Sequence, residues 1–173
     1  MSEPIQVYIA LGSNLGERAA HFRLAIGAIS QLSSAPLQLS SVWESEPVEV
    51  DDERWYWNMV LRLETTLPAE PLLRRLLEIE ALGGRRRDRA DRRRTLDLDL
   101  LLYGDRRIDQ PDLKVPHPRM WQRGFVLRPL AEIAPALLDD ETGRSVEQSI
   151  AAIPTGAQLR RVGRLDWRGP GAI

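Results

Sequence analysis

The sequence predicts an α+β fold, a ferredoxin-like βαββαβ sandwich in which helices pack on one face of an antiparallel sheet. The main observation is the order of the segments, because strand-like and helix-like patterns follow one another as β-α-β-β-α-β. A length of 173 residues fits a single domain, with a core at about 5–138 and a C-terminal extension at 139–173. The hydrophobic fraction of 43% and charged fraction of 28% are typical of a globular protein.

The first half of the chain supplies three strands and one helix. Residues 5–11 are rich in strand-forming side chains and end at Gly12, which predicts the first strand. Residues 17–32 repeat apolar side chains at helical spacing, which predicts an amphipathic helix. Residues 37–46 and 56–66 alternate polar and apolar side chains, as strands do, and complete the β-α-β-β half of the fold.

The second half begins with a helix between Pro68, in a position that a first helical turn tolerates, and Gly83, a common helix terminator. Its core face is predicted to carry Leu73, Leu76, Leu77 and Glu80. Residues 95–103 form the last predicted core strand. The proline-rich segment 115–130 predicts a short helix within irregular chain, and residues 145–153 predict one more helix.

Charge and composition narrow the class of protein. The net charge of −1 gives no broad positive field, so nucleic acid is an unlikely partner. The absence of cysteine excludes disulfides and thiolate metal sites. The beginning of the sequence has no signal-peptide pattern, and no apolar run is long enough for a membrane helix. We therefore expect a cytoplasmic protein that does not bind membranes. As a separate expectation, we take it to be a monomer.

Two aspartates interrupt the apolar strand "RTLDLDLLLYG". Asp97 and Asp99 are two residues apart and point to the same face, while Leu96, Leu98 and Leu100 point to the other. Two adjacent carboxylates repel each other unless a cation lies between them, and Mg²⁺ is often held by one or two carboxylates together with substrate phosphates. The alternative is that both aspartates pair with arginines on a solvated sheet face.

Seven arginines crowd the ten residues before Thr95. Arginine is suited to phosphate because its planar guanidinium stays charged and presents a fork of donors. The alternatives are a solvated loop, contact with nucleic acid, and salt bridges to the acidic segment 44–53. Beside the two aspartates, the phosphate-binding interpretation is the better one.

An aromatic ring and a carboxamide share one face of the third predicted strand. Tyr56 and Asn58 suit a flat heterocycle, since the ring stacks on it and the amide pairs with its edge. The alternative is cross-strand packing for Tyr56 and a turn or edge role for Asn58. His117 lies between two prolines, near Arg119 and Arg123, where its ring can donate to a phosphate oxygen.

Taken in this order, the motifs resemble the 6-hydroxymethyl-7,8-dihydropterin pyrophosphokinases of folate biosynthesis. The resemblance runs over about 8–138, most of the chain. Its matching pieces are "YIALGSN" (8–14), the segment from the serine pair to Pro47 (40–47), "YWN" (56–58), "EIE" (78–80), "RTLDLDLLLYG" (94–104), "VPHPRM" (115–120) and "RGFVLRPL" (123–130).

The resemblance implies transfer of pyrophosphate from ATP to the hydroxymethyl group of the pterin, with release of AMP and with two magnesium ions. It implies that Asp97 and Asp99 hold both metals and act in catalysis with Arg85 and Arg94. The ATP-binding residues that it implies are Glu80, Arg85, Arg94, Lys114, His117 and Arg123. The pterin-binding residues that it implies are Ser45, Glu46, Val48, Tyr56, Asn58 and Phe125, with Tyr56 and Phe125 on opposite sides of the ring.

The chain departs from the family pattern in two places. Asp91-Arg92-Arg93 stand where the family commonly has a tryptophan, a glycine and a small residue or proline, and Glu46 stands where proline is frequent. The tryptophan belongs to a loop that we expect to close over ATP together with loop 46–55. A catalytically impaired paralogue, or a nucleotide- or nucleic-acid-binding module on the same fold, is therefore the alternative to an active enzyme.

Overall fold

A computed structural model of the chain describes residues 2–47, 54–84, 95–154, 156 and 158–169. The strands are β1 (Ile5–Ser13), β2 (Gln38–Leu39), β3 (Val42–Ser45), β4 (Tyr56–Thr65), β5 (Asp97–Tyr103), β6 (Ile108–Gln110), β7 (Leu113–Val115) and β8 (Leu159–Gly163). The helices are α1 (Arg18–Ser30), α2 (Ala69–Leu82), α3 (Gly124–Ile133) and α4 (Val146–Ala152), with one 3-10 turn at Met120–Gln122. This combination confirms the predicted α+β class.

Six strands form one antiparallel sheet. Its order is β5-β1-β4-β3-β8, and the short β2 also pairs with β4. β6 and β7 form a separate antiparallel hairpin. Because β1 lies between β4 and β5, Ala10, Leu11 and Gly12 near its end each share a cross-strand row with a residue of both neighbours.

One face of the sheet, the back face, carries Val7, Ile9 and Leu11 of β1 and packs against α1 and α2. The helical side chains buried in this core are Phe22, Ala25, Ile26, Ile29, Ala69, Leu72, Leu76 and Ile79. Burying a large apolar side chain stabilises a fold by about 1.5–3 kcal/mol. This core therefore anchors the two helices that the β-α-β-β-α-β pattern predicts.

The opposite face, the front face, carries a second core. Tyr8, Val60 and Leu101 point to it and are covered by α3 and α4. The two helices that alternate with the predicted core strands, α1 and α2, lie on one face, as the β-α-β-β-α-β order predicts. The later helices, whose face the sequence did not indicate, cover the front face, because its apolar side chains also need burial. Helices α3 and α4 cover only part of the front face. The candidate site lies on the rest of it, near the polar residues around Asp97.

The predicted strand 37–46 is divided into β2 and β3 by a pair of serines. Ser40 donates its N–H to the carbonyl of Val60 at 2.9 Å, and its Oγ accepts from the N–H of Val60 at 2.9 Å. The hydroxyl thus takes the place of a backbone acceptor, so the regular ladder stops there. Strand β3 begins two residues later.

Three further details differ from the sequence-based expectation. On α2, Leu72 and Ile79 are buried together with Leu76 and Glu80, whereas Leu73 and Leu77 are only partly buried. The hairpin β6-β7 and the strand β8 were not predicted.

In the described ranges, no helix combines the length and the apolar character that crossing a membrane requires.

Candidate functional site

The two aspartates of β5 lie on the front face, as the alternation predicted. Asp97 is opposite Gly12 and Asp99 is opposite Ala10 in the neighbouring strand β1. Both carboxylates are partly buried, while Leu98, between them, is 3% exposed and belongs to the back core. Each aspartate is therefore next to one of the smallest residues of the sheet, Gly12 or Ala10. On the front face this leaves a trough along β1, with the two aspartates as one wall.

The other wall of the trough comes from β4. Asn58 is opposite Gly12 on one side and Trp43 on the other, and Tyr56 is opposite Ser45 of β3. A Cβ atom at Gly12 would lie 3.8 Å from the Cβ of Asp97. In the cross-strand row from Trp43 to Asp97, Gly12 has no side chain and forms the floor of the trough. The carboxamide of Asn58 lies on one side of it and the carboxylate of Asp97 on the other.

The carboxamide of Asn58 has a defined orientation. Its Nδ2 donates to Ser45 Oγ at 2.9 Å, to the Tyr56 carbonyl at 3.2 Å and to the Trp43 carbonyl at 3.4 Å. Since the two backbone carbonyls can only accept, they fix which end of the amide is nitrogen. Oδ1 is then the acceptor that the group offers to a ligand.

His117 lies beside the carboxylates. Its backbone N–H donates to the Leu101 carbonyl at 2.9 Å, and its Nδ1 accepts from the backbone N–H of Arg119 at 3.2 Å. Burial, then the charges of Arg123 and Arg119, lower the pKa of His117 below its usual value, against the opposing charge of Asp97. At neutral pH the ring is therefore neutral, and because Nδ1 accepts, Nε2 carries the proton.

Helix α3 begins next to these groups. Phe125, its second residue, packs on the front core, and the guanidinium of Arg123 lies 5.5 Å from its ring centroid. Ser13 donates its hydroxyl to the Thr95 carbonyl at 2.6 Å and so joins the end of β1 to the residues that lead into β5. An aromatic ring, a cation and a neutral imidazole thus meet near the two carboxylates.

Two of the predicted ATP-binding residues have other partners in the structure. Glu80 is 2% exposed, and its Oε1 accepts from the N–H of Leu98 at 2.8 Å, on the strand that carries both aspartates. Lys114, on β7, forms an exposed ion pair with Asp109 at 2.5 Å. Their contacts with ATP stay predictions. Arg85, Arg94 and Val48 lie outside the described residues.

Glu46 continues the line of β3 beyond Ser45. Its backbone N–H donates to the carbonyl of Gln158 at 3.0 Å, and its Oε2 accepts from the N–H of Gln158 at 3.1 Å. The chain just before β8 therefore holds the end of the segment that the resemblance assigns to the pterin. This contact of the C-terminal extension was not predicted from the sequence.

Behind Ser45 lies a buried carboxylate that the sequence analysis did not single out. Glu44 accepts from Arg18 at 3.0 Å and from Arg160 Nε at 2.8 Å, and its side chain is 10% exposed. Arg18 also donates to the Trp55 carbonyl at 2.8 Å. Burial alone would raise the pKa of Glu44, but the hydrogen bonds and charges of Arg160 and Arg18 outweigh it and lower the pKa. The two arginines are far apart in sequence and meet at Glu44 only because β8 pairs with β3, so no local pattern predicts this site.

Replacing Glu44 with glutamine is expected to lower the free energy of unfolding at pH 7 by about 1–3 kcal/mol, because charged hydrogen bonds are lost from a largely buried site. A carboxyl with a lowered folded pKa stabilises the fold above its unfolded pKa, and the contribution is lost as pH falls through the folded pKa. Urea unfolding of both proteins from pH 7 down to pH 3.5 therefore tests the pair. The difference between them should shrink below about pH 4.5, the ordinary glutamate value. A difference that stays constant with pH would show that the charge of Glu44 contributes nothing.

The trough suits a hard divalent cation. Within the described ranges, no three histidine, aspartate or glutamate side chains gather around one point, so a closed protein cage for a metal is not found there. Two adjacent carboxylates are nevertheless the set with which proteins hold Mg²⁺ when water and phosphate oxygens supply the other ligands. The donors present thus fit a magnesium ion that is shared with a phosphorylated substrate.

The chain matches known proteins over most of its length. The family model described as 7,8-dihydro-6-hydroxymethylpterin-pyrophosphokinase matches residues 8–135. Curated relatives named 2-amino-4-hydroxy-6-hydroxymethyldihydropteridine pyrophosphokinase include one from Pseudomonas aeruginosa, 43% identical over 151 residues (86% of this chain, 92% of the relative). Another, from Haemophilus influenzae, is 45% identical over 135 residues (78% of this chain, 84% of the relative).

A solved structure supports the fold independently of sequence. The crystal structure of an HPPK-DHPS protein in complex with substrates superposes with a TM-score of 0.72 at 10% identity, over 87% of this chain and 43% of that one. At this identity the likeness concerns the fold alone. Together with the family match over residues 8–135, it leads to one conclusion: the chain belongs to the 7,8-dihydro-6-hydroxymethylpterin-pyrophosphokinase family.

Proposed function

We propose that the chain transfers pyrophosphate from ATP to the hydroxymethyl oxygen of 6-hydroxymethyl-7,8-dihydropterin and releases AMP, as a step of folate biosynthesis. The observation that carries the proposal is one trough, floored by Gly12 and Ala10, with two carboxylates on one wall and an oriented carboxamide beside an aromatic ring on the other. The first wall suits a magnesium-bound polyphosphate and the second suits a flat heterocycle. Family membership supports the same pair of substrates.

Asp97 and Asp99 hold two magnesium ions in this proposal. When bound, such ions would supply charge neutralisation to the polyphosphate chain during the displacement. Arg85 and Arg94 act as further phosphate-binding and catalytic residues, a role that rests on the family resemblance. Phosphoryl-type transfer depends mainly on positioning and on charge stabilisation, so no covalent intermediate on the protein is needed.

The pterin lies between Tyr56 and Phe125. Asn58 Oδ1 accepts a hydrogen bond from an N–H of the ring, because Ser45 and the Trp43 carbonyl occupy its Nδ2. Glu46 and Val48, with the backbone after Ser45, contact the rest of the edge. Burial of the ring between two aromatic side chains excludes water from the hydroxymethyl group that reacts.

His117 and Arg123 bind the phosphate groups of ATP, and Glu80 and Lys114 also contact the nucleotide. Neutral His117 donates from Nε2, while its Nδ1 stays engaged with Arg119. The pterin hydroxyl oxygen forms a bond to the β-phosphorus as the bond from that phosphorus to the α-β bridging oxygen breaks. That oxygen leaves with AMP, and the hydroxyl proton passes to solvent or to a phosphate oxygen.

We also propose that the core of the sheet is ferredoxin-like. The strand order β5-β1-β4-β3 supports a ferredoxin-like arrangement of the core. We also propose that the protein acts as a monomer in the cytoplasm and that loops 46–55 and 84–93 close over bound ATP.

The function is tested by incubating the protein with ATP, magnesium and 6-hydroxymethyl-7,8-dihydropterin. AMP is expected to form only when both the pterin and the metal are present, in a one-to-one ratio with pyrophosphorylated pterin. Binding of ATP without AMP formation would instead identify an impaired paralogue, in keeping with Asp91-Arg92-Arg93 in the loop. Salt-sensitive binding to oligonucleotides, with no effect of ATP, would identify a nucleic-acid-binding module.

A further inference from the structure

Glu132, near the end of α3, joins this helix to the strand that carries Ser45. Its Oε2 accepts from the backbone N–H of Ser41 at 2.9 Å, and its Oε1 accepts from the indole Nε1 of Trp43 at 2.7 Å. Arg161 of β8 supports the junction, since its Nε donates to Ser41 Oγ at 3.0 Å and lies 3.6 Å from Glu132 Oε1. One carboxylate thus connects a helix with two residues at the start of β3.

The junction needs an ionised carboxylate. Burial alone would raise the pKa of Glu132, but hydrogen bonds from Ser41 and Trp43 and the charge of Arg161 lower it. Each oxygen faces an N–H group, so both must accept. A glutamine would turn its own N–H₂ toward one of these donors and lose that contact.

The position of Glu132 along α3 determines where the beginning of the helix lies. Phe125 is seven residues earlier, which is about two turns and about 10 Å along the axis, on the same side of the helix. Along β3, Ser41 and Ser45 are four residues apart, or about 13 Å. A helix held at Ser41 and Trp43 by Glu132 and running opposite to β3 therefore begins close to the level of Ser45.

A second contact supports this alignment. A Cβ atom on Gly124, the first residue of α3, would lie 3.9 Å from a methyl group of Leu159, which is opposite Ser45 in the sheet. Ser45 is in turn opposite Tyr56. The beginning of α3, with Phe125, thus lies at the same height along the sheet as the cross-strand pair of Ser45 and Tyr56. Tyr56 is the other aromatic residue predicted to contact the pterin.

We infer that Glu132 is a positioning residue for the pterin, which fixes α3 along β3 so that Phe125 faces Tyr56 at the separation of one heterocycle. It touches neither substrate. Trp43 is its partner on the strand and is the cross-strand neighbour of Asn58, so the same contact also supports the carboxamide. The inference rests on the proposed function, because it supposes that a pterin binds between Phe125 and Tyr56.

The test is Glu132→Gln, with steady-state kinetics for each substrate. The KM for the pterin is expected to rise about tenfold because a small displacement of one wall weakens stacking. The KM for ATP should rise less, by no more than about threefold. Among the proposed ATP-binding residues that the structure describes, Arg123 alone adjoins α3, whereas His117 and the aspartates of β5 lie outside this helix. Trp43→Phe replaces the indole, and with it the Nε1 donor, by a smaller ring and should raise the pterin KM in the same direction, so one of the two variants suffices if the other folds poorly. The matched control is Glu147→Gln, on the exposed side of α4.

A binding measurement separates positioning from stability. With magnesium and a non-hydrolysable ATP analogue present, calorimetry should give a clearly weaker pterin Kd for Glu132→Gln and a smaller change in the Kd of the analogue, which of the residues next to α3 contacts only Arg123. Equal changes for both ligands, or a lowered Tm with an unchanged pterin Kd, would overturn the inference. If the unaltered protein itself forms no AMP, the proposed function fails first; if it forms AMP and the pterin parameters of the variants match it, only the inference fails.

Discussion

Replacing Asp97 with asparagine is expected to lower kcat by about a thousandfold or more, since metal-assisted charge stabilisation contributes several kcal/mol to phosphoryl-type transfer. Asparagine preserves size and shape but removes the negative charge that a magnesium ion requires. Asp97 is opposite Gly12 and partly buried on the front face, outside both apolar cores. The fold should therefore survive, with a circular dichroism spectrum and Tm close to those of the unaltered protein.

The measurement is AMP release at saturating ATP and pterin over a series of magnesium concentrations. Asp112→Asn is the matched control, because this aspartate is exposed in the turn before β7 and is not one of the residues of the two walls. The control should retain full activity and the original magnesium dependence. Turnover of Asp97→Asn within tenfold of the unaltered protein would show that the carboxylate does not hold the metal.

The part of the site that the sequence could predict depends on local alternation. Two residues of a strand that are separated by one other must share a face, so Asp97 and Asp99 could be placed together without any knowledge of the fold. The same rule placed Tyr56 and Asn58 together. The structure adds that Gly12 of β1 separates the two pairs, which no local pattern reveals because it depends on strand order.

Other features depend on contacts between distant segments. A register shift between Tyr8 and Ile9 leaves Leu101 as an extra residue of β5, so Leu101 and Leu102 both join the front core and the simple alternation ends there. The burial of Leu72 rather than Leu73 follows from how α2 is rotated on the sheet. The helical period places Leu72, Leu73, Leu76 and Leu77 on one apolar side of α2, but it does not determine which edge of that side faces the sheet.

The C-terminal extension was the least predictable part of the chain. Strand β8 carries arginines at 160 and 161 and has a weak strand pattern, so its pairing with β3 follows from tertiary contacts. Glu44 and Glu132 are ordinary in sequence and become notable only once β8 supplies their arginine partners. By contrast, helix α4 carried a readable signal, since Ser145 and Gln148 form a capping box.

Asn58→Ala is expected to lower kcat/KM for the pterin by about a hundredfold while leaving the KM for ATP within about twofold, because a site built to bind a polar edge loses its buried acceptor. Asn58 is 6% exposed, so its Oδ1 is largely shielded from water. Alanine also leaves Ser45 Oγ without the donor that it accepts from at 2.9 Å. The loss should therefore exceed that of one exposed hydrogen bond.

Ser45→Ala tests whether the serine hydroxyl only orients the carboxamide of Asn58 or contacts the pterin itself. This variant keeps Asn58 and removes only one of the three acceptors that hold its Nδ2, so kcat/KM for the pterin should fall by about tenfold or less. The double variant should be no worse than Asn58→Ala alone, because the serine acts through the carboxamide. If Ser45→Ala lowered pterin efficiency more than Asn58→Ala, the serine hydroxyl would be the group that contacts the pterin, and the orientation assigned to Asn58 would be wrong.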